Sequence, residues 1–112
     1  MKQLLLAVPL VLAASAGAAQ VVQFRSGEHE DFTRLVATLP TEDTNWTISG
    51  DGKFYTIKID GDDLRLKTNT IFDRIPRTRL ANFVANDARG EIELELACDC
   101  RIVSAICWDS NR

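Results

Sequence analysis

The sequence predicts an all-β domain, a small antiparallel β-sandwich of about seven or eight short strands, following a cleaved signal peptide. Three observations lead to this prediction. From Val21 onward the apolar residues recur mostly at a spacing of two. Glycine, aspartate and asparagine interrupt these runs at short intervals, as they do in turns between strands. No run is long and periodic enough for a stable helix, which disfavours alternating strands and helices.

The N-terminal segment, residues 1–19, has the three parts of a secretory signal. Lys2 supplies a positive charge, residues 4–14 are almost entirely apolar, and residues 16–19 carry only small side chains at the predicted cleavage site. The apolar run is too short for a transmembrane helix, which needs about 20 residues. We therefore expect export to the periplasm or cell envelope without a stable membrane anchor, and one mature domain at residues 20–112.

The overall charge excludes one class of partner. The chain has 13 basic and 16 acidic residues, a formal net charge of −3 at pH 7. Loss of Lys2 with the signal peptide leaves 12 basic residues against 16 acidic ones, so the mature domain carries −4. Nucleic acid is itself an anion, and an acidic domain is not attracted to it by bulk charge. We therefore do not expect nucleic acid as a partner.

The first half of the mature chain reads as two strands followed by a hairpin. Aliphatic and β-branched residues predict strands at residues 21–25 and 33–39. Two further runs, residues 45–48 and 53–55, flank the sequence Gly-Asp-Gly at residues 50–52. Because glycine adopts the positive φ values of tight turns, these two runs are predicted to pair as a hairpin.

Two half-buried strands follow, at residues 55–59 and 64–67, where apolar and polar residues alternate. The acidic sequence at residues 60–63 links them. It has several oxygen ligands but lacks the spaced acids and the distal glutamate of a calcium loop. We interpret it as a hairpin turn.

The clearest strand covers residues 91–98, where apolar residues and glutamates occupy opposite faces. Residues 80–85 predict either a strand or a helical turn after Pro76. Residues 101–108 predict a last strand, which ends in a turn-like tetrapeptide that normally leads into a partner strand. This pattern indicates a domain that is incomplete at its C-terminus, and an edge strand with a polar tail is the alternative.

The chain has three cysteines, an odd number for an exported protein. A disulfide between Cys98 and Cys100 would close a cramped ring, so the predicted pairs are Cys100 with Cys107 or Cys98 with Cys107. A single bridge or buried thiols are the preferred interpretation. A zinc site lacks a fourth ligand, and redox sites typically read C-x-x-C, so neither a metal nor a cofactor is predicted.

The only histidine, His29, lies between Glu28 and Glu30 in a polar segment. A histidine beside carboxylates is a candidate general base or metal ligand. No nucleophile is adjacent in sequence, and no second histidine exists to complete a zinc set. A charged surface loop is the simpler interpretation.

One basic cluster, Arg74, Arg77 and Arg79 around Pro76, is the candidate ligand site. The planar fork of arginine donates two hydrogen bonds to a carboxylate, which suits acidic groups of the cell wall. The alternative is that these arginines only balance nearby acids on the surface.

Residues 22–36, which read VQFRSGEHEDFTRLV, resemble the opening of the AMIN and AMIN-like domains of bacterial envelope proteins. In that family a first strand leads through a glycine-containing polar loop to an aromatic residue, Thr or Ser, an arginine and an apolar strand. Residues 72–76 and 98–100 depart from the general family pattern. The resemblance implies a β-sandwich module of a longer envelope protein, without catalysis of its own, that binds or localises to peptidoglycan.

These observations predict a non-catalytic periplasmic or cell-envelope module that binds or positions cell-wall material or an envelope protein. One rival is a small secreted hydrolytic enzyme with His29 as its base. The other is a structural or inhibitory secreted protein whose disulfide and sandwich are its whole role. Retention on purified peptidoglycan, or turnover that is lost in a His29→Ala variant, separates binding from catalysis.

Overall fold

A computed structural model of the chain describes residues 19–104, which form seven strands and two short 3-10 turns. The strands are β1 (Gln20–Glu28), β2 (Thr33–Thr38), β3 (Trp46–Asp51), β4 (Phe54–Ile59), β5 (Leu64–Lys67), β6 (Leu80–Asn86) and β7 (Glu91–Leu96). The 3-10 turns are Ile71–Asp73 and Asp87–Arg89. Within residues 19–104 there is no helix long and apolar enough to span a membrane. The predicted all-β class is confirmed.

The strands form two sheets. A three-stranded sheet has the order β2-β1-β5, and a four-stranded sheet has the order β3-β4-β7-β6. All the pairs are antiparallel except β1 with β5, which is parallel. The antiparallel prediction is therefore correct for every pair but one, and the parallel pair arises because the chain changes sheets between β4 and β5.

The inner faces of both sheets contribute to one hydrophobic core. Phe24 of β1 packs edge-to-face on Phe83 of β6, with ring centroids 5.5 Å apart, and this pair joins the two sheets. Ile71 and Ile75, from the connection between β5 and β6, are also buried. The remaining buried members are Val22, Ile59, Leu64, Leu66, Leu80, Ile92, Leu94 and Leu96. Burying each such side chain contributes about 1.5–3 kcal/mol, so this core dominates the stability of the fold.

Alternation in β7 agrees with the prediction. Ile92, Leu94 and Leu96 are buried, whereas Glu93 is exposed on the other face. The strand ends at Leu96, two residues before the predicted end, because the chain bends at residues 97–99. Residues 80–85, for which strand and helical turn were both open, lie in β6.

The predicted hairpin between residues 45–48 and 53–55 is confirmed as β3 and β4, which pair antiparallel with Asp51 opposite Phe54. Gly52 lies at its tip with φ of 61°. The left-handed conformation there is the reason for a glycine, because other residues adopt it at a cost.

The predicted hairpin turn at residues 60–63 is wrong. β4 pairs with β3 and β7, whereas β5 pairs with β1, so this segment carries the chain from one sheet to the other. The alternation of apolar and polar residues predicts which face of each strand is buried, but it does not predict which strand lies beside it in the sheet. The backbone of the turn is tied to the three-stranded sheet, since the Gln20 amide donates to the Asp63 carbonyl at 3.0 Å.

Two predictions fall mostly or partly outside the described residues. The signal peptide covers residues 1–19, of which the structure describes only the last. The last strand was predicted at residues 101–108, and the structure describes residues 101–104, which are not in a strand.

Candidate functional site

The structure separates the three arginines of the sequence-predicted site. Arg79 holds the loop between β1 and β2: its guanidinium lies 2.9 Å from a carboxylate oxygen of Glu28. It also donates to the carbonyls of His29 and Glu30, at 3.3 and 2.9 Å. The Arg79 side chain is only 30% exposed, and its contacts within the chain occupy both terminal nitrogens.

Arg77 and Arg74 have different surroundings. The guanidinium of Arg77 lies over the ring of Phe72, 3.7 Å from its centroid, and donates to the Ala81 carbonyl. Arg74 is exposed, and no ion pair involves it within residues 19–104. Arg74, Arg77 and Arg79 therefore do not point their guanidinium groups toward one common ligand position. That all three bind a ligand stays a prediction.

His29 lies in the loop between β1 and β2, stacked on Phe32 with ring centroids 4.4 Å apart. Glu28 beside it is engaged by Arg79 and by the Thr33 hydroxyl. Ser26, the nearest serine in sequence, donates instead to the Ile71 carbonyl at 2.6 Å. Among residues 19–104, the contacts of His29 do not join it to a hydroxyl or a thiol.

The cysteine pair at the end of β7 differs from the sequence-based preference. The structure joins Cys98 to Cys100, with Cα atoms 5.1 Å apart, at the bend that residues 97–99 form after β7. Cys107, the partner predicted for either of them, lies outside the described residues. Within residues 19–104, no three His, Cys, Asp or Glu side chains are grouped so that they could hold a metal ion.

A different basic surface emerges on the three-stranded sheet. Val22 and Phe24 of β1 point into the core, so Arg25 points outward, and the same alternation turns Arg65 and Lys67 of β5 outward. Arg34 of β2 is exposed on this side as well. We call the outer face that carries Arg25, Arg34, Arg65 and Lys67 the basic face.

The register brings these four side chains close together. Val36 lies opposite Arg25, and Arg34 is two residues from Val36 on β2. Lys67 lies opposite Gln23, two residues from Arg25 on β1. Diagonal neighbours of this kind are about 7–8 Å apart, so the cations form a stripe across the sheet. Among the residues that the structure describes, the outward positions of β1, β2 and β5 include no acid.

The four-stranded sheet has the opposite character. Its outer face carries Asp51 of β3 with Glu91, Glu93 and Glu95 of β7, and we call this surface the acidic face. Lys58 of β4, opposite Glu91, also lies on it, so acids outnumber cations there by four to one at the strand positions that the structure describes. Phe54 of β4 lies on the same face and is 66% exposed. Glu91 is partly neutralised by Arg89 at 3.3 Å, whereas no ion pair within residues 19–104 involves Glu93.

Sequence reasoning missed both faces as surfaces. Arg65 and Lys67 alternate with buried leucines, and this alternation in the sequence is sufficient to predict that both side chains point outward. Their neighbours Arg25 and Arg34 are about 30–40 positions away in the chain and become neighbours only through the β1–β5 and β1–β2 pairings. Neither family models nor curated proteins nor solved structures match this chain.

Proposed function

We propose that this chain is a non-catalytic binding or localisation domain of the bacterial cell envelope, and that its basic face binds acidic groups of cell-wall material. One observation carries the proposal. Four basic side chains share one exposed sheet face that has no acid among the described residues, although the chain as a whole is acidic.

Concentrating like charges costs free energy, which an anionic partner recovers. Three of the four residues are arginines, whose planar guanidinium groups donate two hydrogen bonds to a single carboxylate. Peptidoglycan carries carboxylates on its peptides. A flat, exposed face of three strands lies open to an extended polymer, whereas an enclosed cavity would favour a small molecule.

The N-terminal signal and the AMIN-like residues 22–36 support the same proposal from the sequence. The signal predicts delivery to the envelope, and the resemblance implies a module that localises to peptidoglycan. Residues 22–36 span most of β1 and β2, which carry Arg25 and Arg34 of the basic face.

The test is co-sedimentation of the purified protein with peptidoglycan. The variant Arg25→Gln/Arg34→Gln/Arg65→Gln should lose about tenfold in affinity, since three exposed charge contacts of about 0.5 kcal/mol each sum to that factor. Binding should weaken in 1 M salt, where charges are screened over about 3 Å.

The matched control is Lys53→Gln/Arg74→Gln/Arg101→Gln, which removes three exposed positive charges outside the basic face and should bind as the parent does. An equal loss in both variants would show that only net charge matters and would overturn the proposed surface. Peptidoglycan turnover that disappears in His29→Ala would overturn the non-catalytic role.

A further inference from the structure

The two outer faces of this domain are complementary in charge. The basic face presents Arg25, Arg34, Arg65 and Lys67. The acidic face, on the other sheet, presents Asp51, Glu91, Glu93 and Glu95 with one cation, Lys58, beside Glu91, so its excess of negative charge lies at Asp51, Glu93 and Glu95 around Phe54. Each face also exposes apolar side chains. Val21 and Val36 on the basic face are 45% and 43% exposed, and Phe54 and Val84 on the acidic face are 66% and 60% exposed.

The surroundings of Phe54 fit a guanidinium group. In the register of the four-stranded sheet, Asp51 lies opposite Phe54 on one side and Glu95 lies opposite it on the other. The aromatic ring therefore has a carboxylate-bearing residue on each neighbouring strand. A cation over an aromatic face is attracted to it, and arginine is the most frequent such cation. Carboxylates beside the ring add charge-assisted hydrogen bonds. One oxygen of Glu95 already accepts from the Asn82 side-chain amide at 2.8 Å, so its other oxygen and Asp51 are the acceptors for an incoming guanidinium.

From this complementarity we infer that copies of the chain stack face to face, with the basic face of one copy on the acidic face of the next. The occupant is a second copy of the chain, because its basic face supplies the arginines that the surroundings of Phe54 fit. That face is also an exposed sheet surface, so it can lie flat against the acidic face. Sheets stack about 10 Å apart, a distance that arginine and glutamate side chains bridge from the two sides. The inference goes beyond the proposed function because it assigns a role to the acidic face.

The geometry defines the kind of assembly. The contact joins two different surfaces, so it is head-to-tail and leaves one free face of each kind at the ends of a stack. The smaller, three-stranded face spans about 10 Å across its strands and about 16 Å along the residues that β1 and β2 pair, so the contact is small beside the roughly 800 Å² per partner of stable complexes. The association is therefore weak, depends on protein concentration and weakens with added salt.

Stacking and cell-wall binding use the same basic face, so each excludes the other at that surface. A soluble polyanion should therefore dissociate the stacks. The acidic face takes part in stacking alone, and its variants separate the two activities.

Sedimentation velocity over a range of protein concentrations tests the inference. The wild type should show weight-average mass rising with concentration at low salt and returning to that of a monomer in 1 M salt. The variants Arg25→Glu/Arg34→Glu and Glu93→Lys/Glu95→Lys should each be monomeric, since in each the altered face loses its original excess of charge and no longer attracts the intact face of another copy. An equal mixture of the two should form pairs again, because the intact acidic face of the first variant meets the intact basic face of the second.

Phe54→Ser provides a second variant that leaves every charge in place. The ring is largely exposed, so its removal should leave the unfolding midpoint unchanged while weakening association about two- to fivefold. Circular dichroism of each variant verifies the fold.

The outcomes separate this inference from the proposed function. Glu93→Lys/Glu95→Lys should lose stacking and keep peptidoglycan binding, whereas Arg25→Glu/Arg34→Glu should lose both. A wild type that stays monomeric at every concentration, or an equal mixture that does not associate, overturns stacking and leaves peptidoglycan binding as it stands. If the wild type stays monomeric at every concentration, the acidic face is open to a basic partner other than a second copy of this chain.

Discussion

At the scale of single residues, Arg79 is the arginine of its cluster that connects distant segments of the chain. Its guanidinium connects the start of β6 to Glu28 and to two carbonyls of the β1–β2 loop. Its own carbonyl accepts a hydrogen bond from the Ala97 amide at 2.8 Å, at the bend after β7. This one position therefore connects three segments that are far apart in sequence, and its role in the fold is structural.

Replacing Arg79 tests this assignment. Arg79→Gln should lower the free energy of unfolding by about 1–2 kcal/mol, because it removes an ion pair and charged hydrogen bonds in a partly solvated site. Urea denaturation measures the loss. The control Arg74→Gln, at an exposed residue of the same cluster, should change stability by less than about 0.5 kcal/mol.

Peptidoglycan binding of the same two variants distinguishes the sites. Both folded variants should bind as the parent does, because neither residue belongs to the basic face. A loss of binding in Arg79→Gln at unchanged stability would return the ligand site to the arginine cluster.

At the scale of elements, the junction between β6 and β7 connects the two sheets. The Asp87 carboxylate accepts from the Leu66 amide of β5 at 3.1 Å, and the Gly90 carbonyl accepts from the Ile59 amide of β4 at 2.8 Å. Gly90 has φ of 65°, and a Cβ at this position would lie 2.6 Å from the Ile59 carbonyl oxygen. The turn therefore requires glycine for two reasons, its conformation and the close approach of another backbone segment.

Two glycine substitutions separate these reasons. Gly52→Ala, at the tip of the β3–β4 hairpin, should cost about 1 kcal/mol, because φ is 61° and nothing lies within 4 Å of the added methyl group. Gly90→Ala has the same conformational cost and a steric clash of about 2 kcal/mol in addition. Thermal unfolding should show the larger drop in Tm for Gly90→Ala. Equal drops would mean that the junction relaxes freely and does not connect the sheets tightly.

At the scale of the whole molecule, one core joins the two sheets. Phe24 and Phe83 contact each other between the sheets, and the crossing from β4 to β5 places consecutive strands in different sheets. The hydrophobic face of each sheet is buried against the other sheet, so neither sheet keeps its core without the other. We therefore expect the two sheets to unfold together in one transition.

A core substitution tests this cooperativity. Phe83→Ala should lower stability by about 3–5 kcal/mol, since it removes a buried ring and leaves a cavity. The control Val84→Ala, at the neighbouring residue with 60% exposure, should cost less than about 0.5 kcal/mol. Circular dichroism and tryptophan fluorescence should report coincident unfolding midpoints. Separate midpoints would show that the sheets are independent units.

Sequence patterns were sufficient for most strands and insufficient for the surfaces. The hairpin at β3 and β4 and the faces of β7 followed from local signals, namely glycines in a turn and a spacing of two. The arginine cluster was chosen because its members are adjacent in sequence, yet Arg77 and Arg79 are engaged within the chain. The residues of the basic face come from three strands, and no local pattern connects them.

The sequence by itself determined that the described part of the chain is made of short strands and which side of each strand is buried. Both properties depend on periodicity within a few residues, because successive side chains of a strand point to opposite faces. Only the tertiary structure decided which strands are neighbours, that residues 60–63 cross between sheets, and that basic and acidic side chains collect on opposite outer faces. Strand pairing depends on packing between distant segments, so the charge pattern of a sheet face exists only once the register is set.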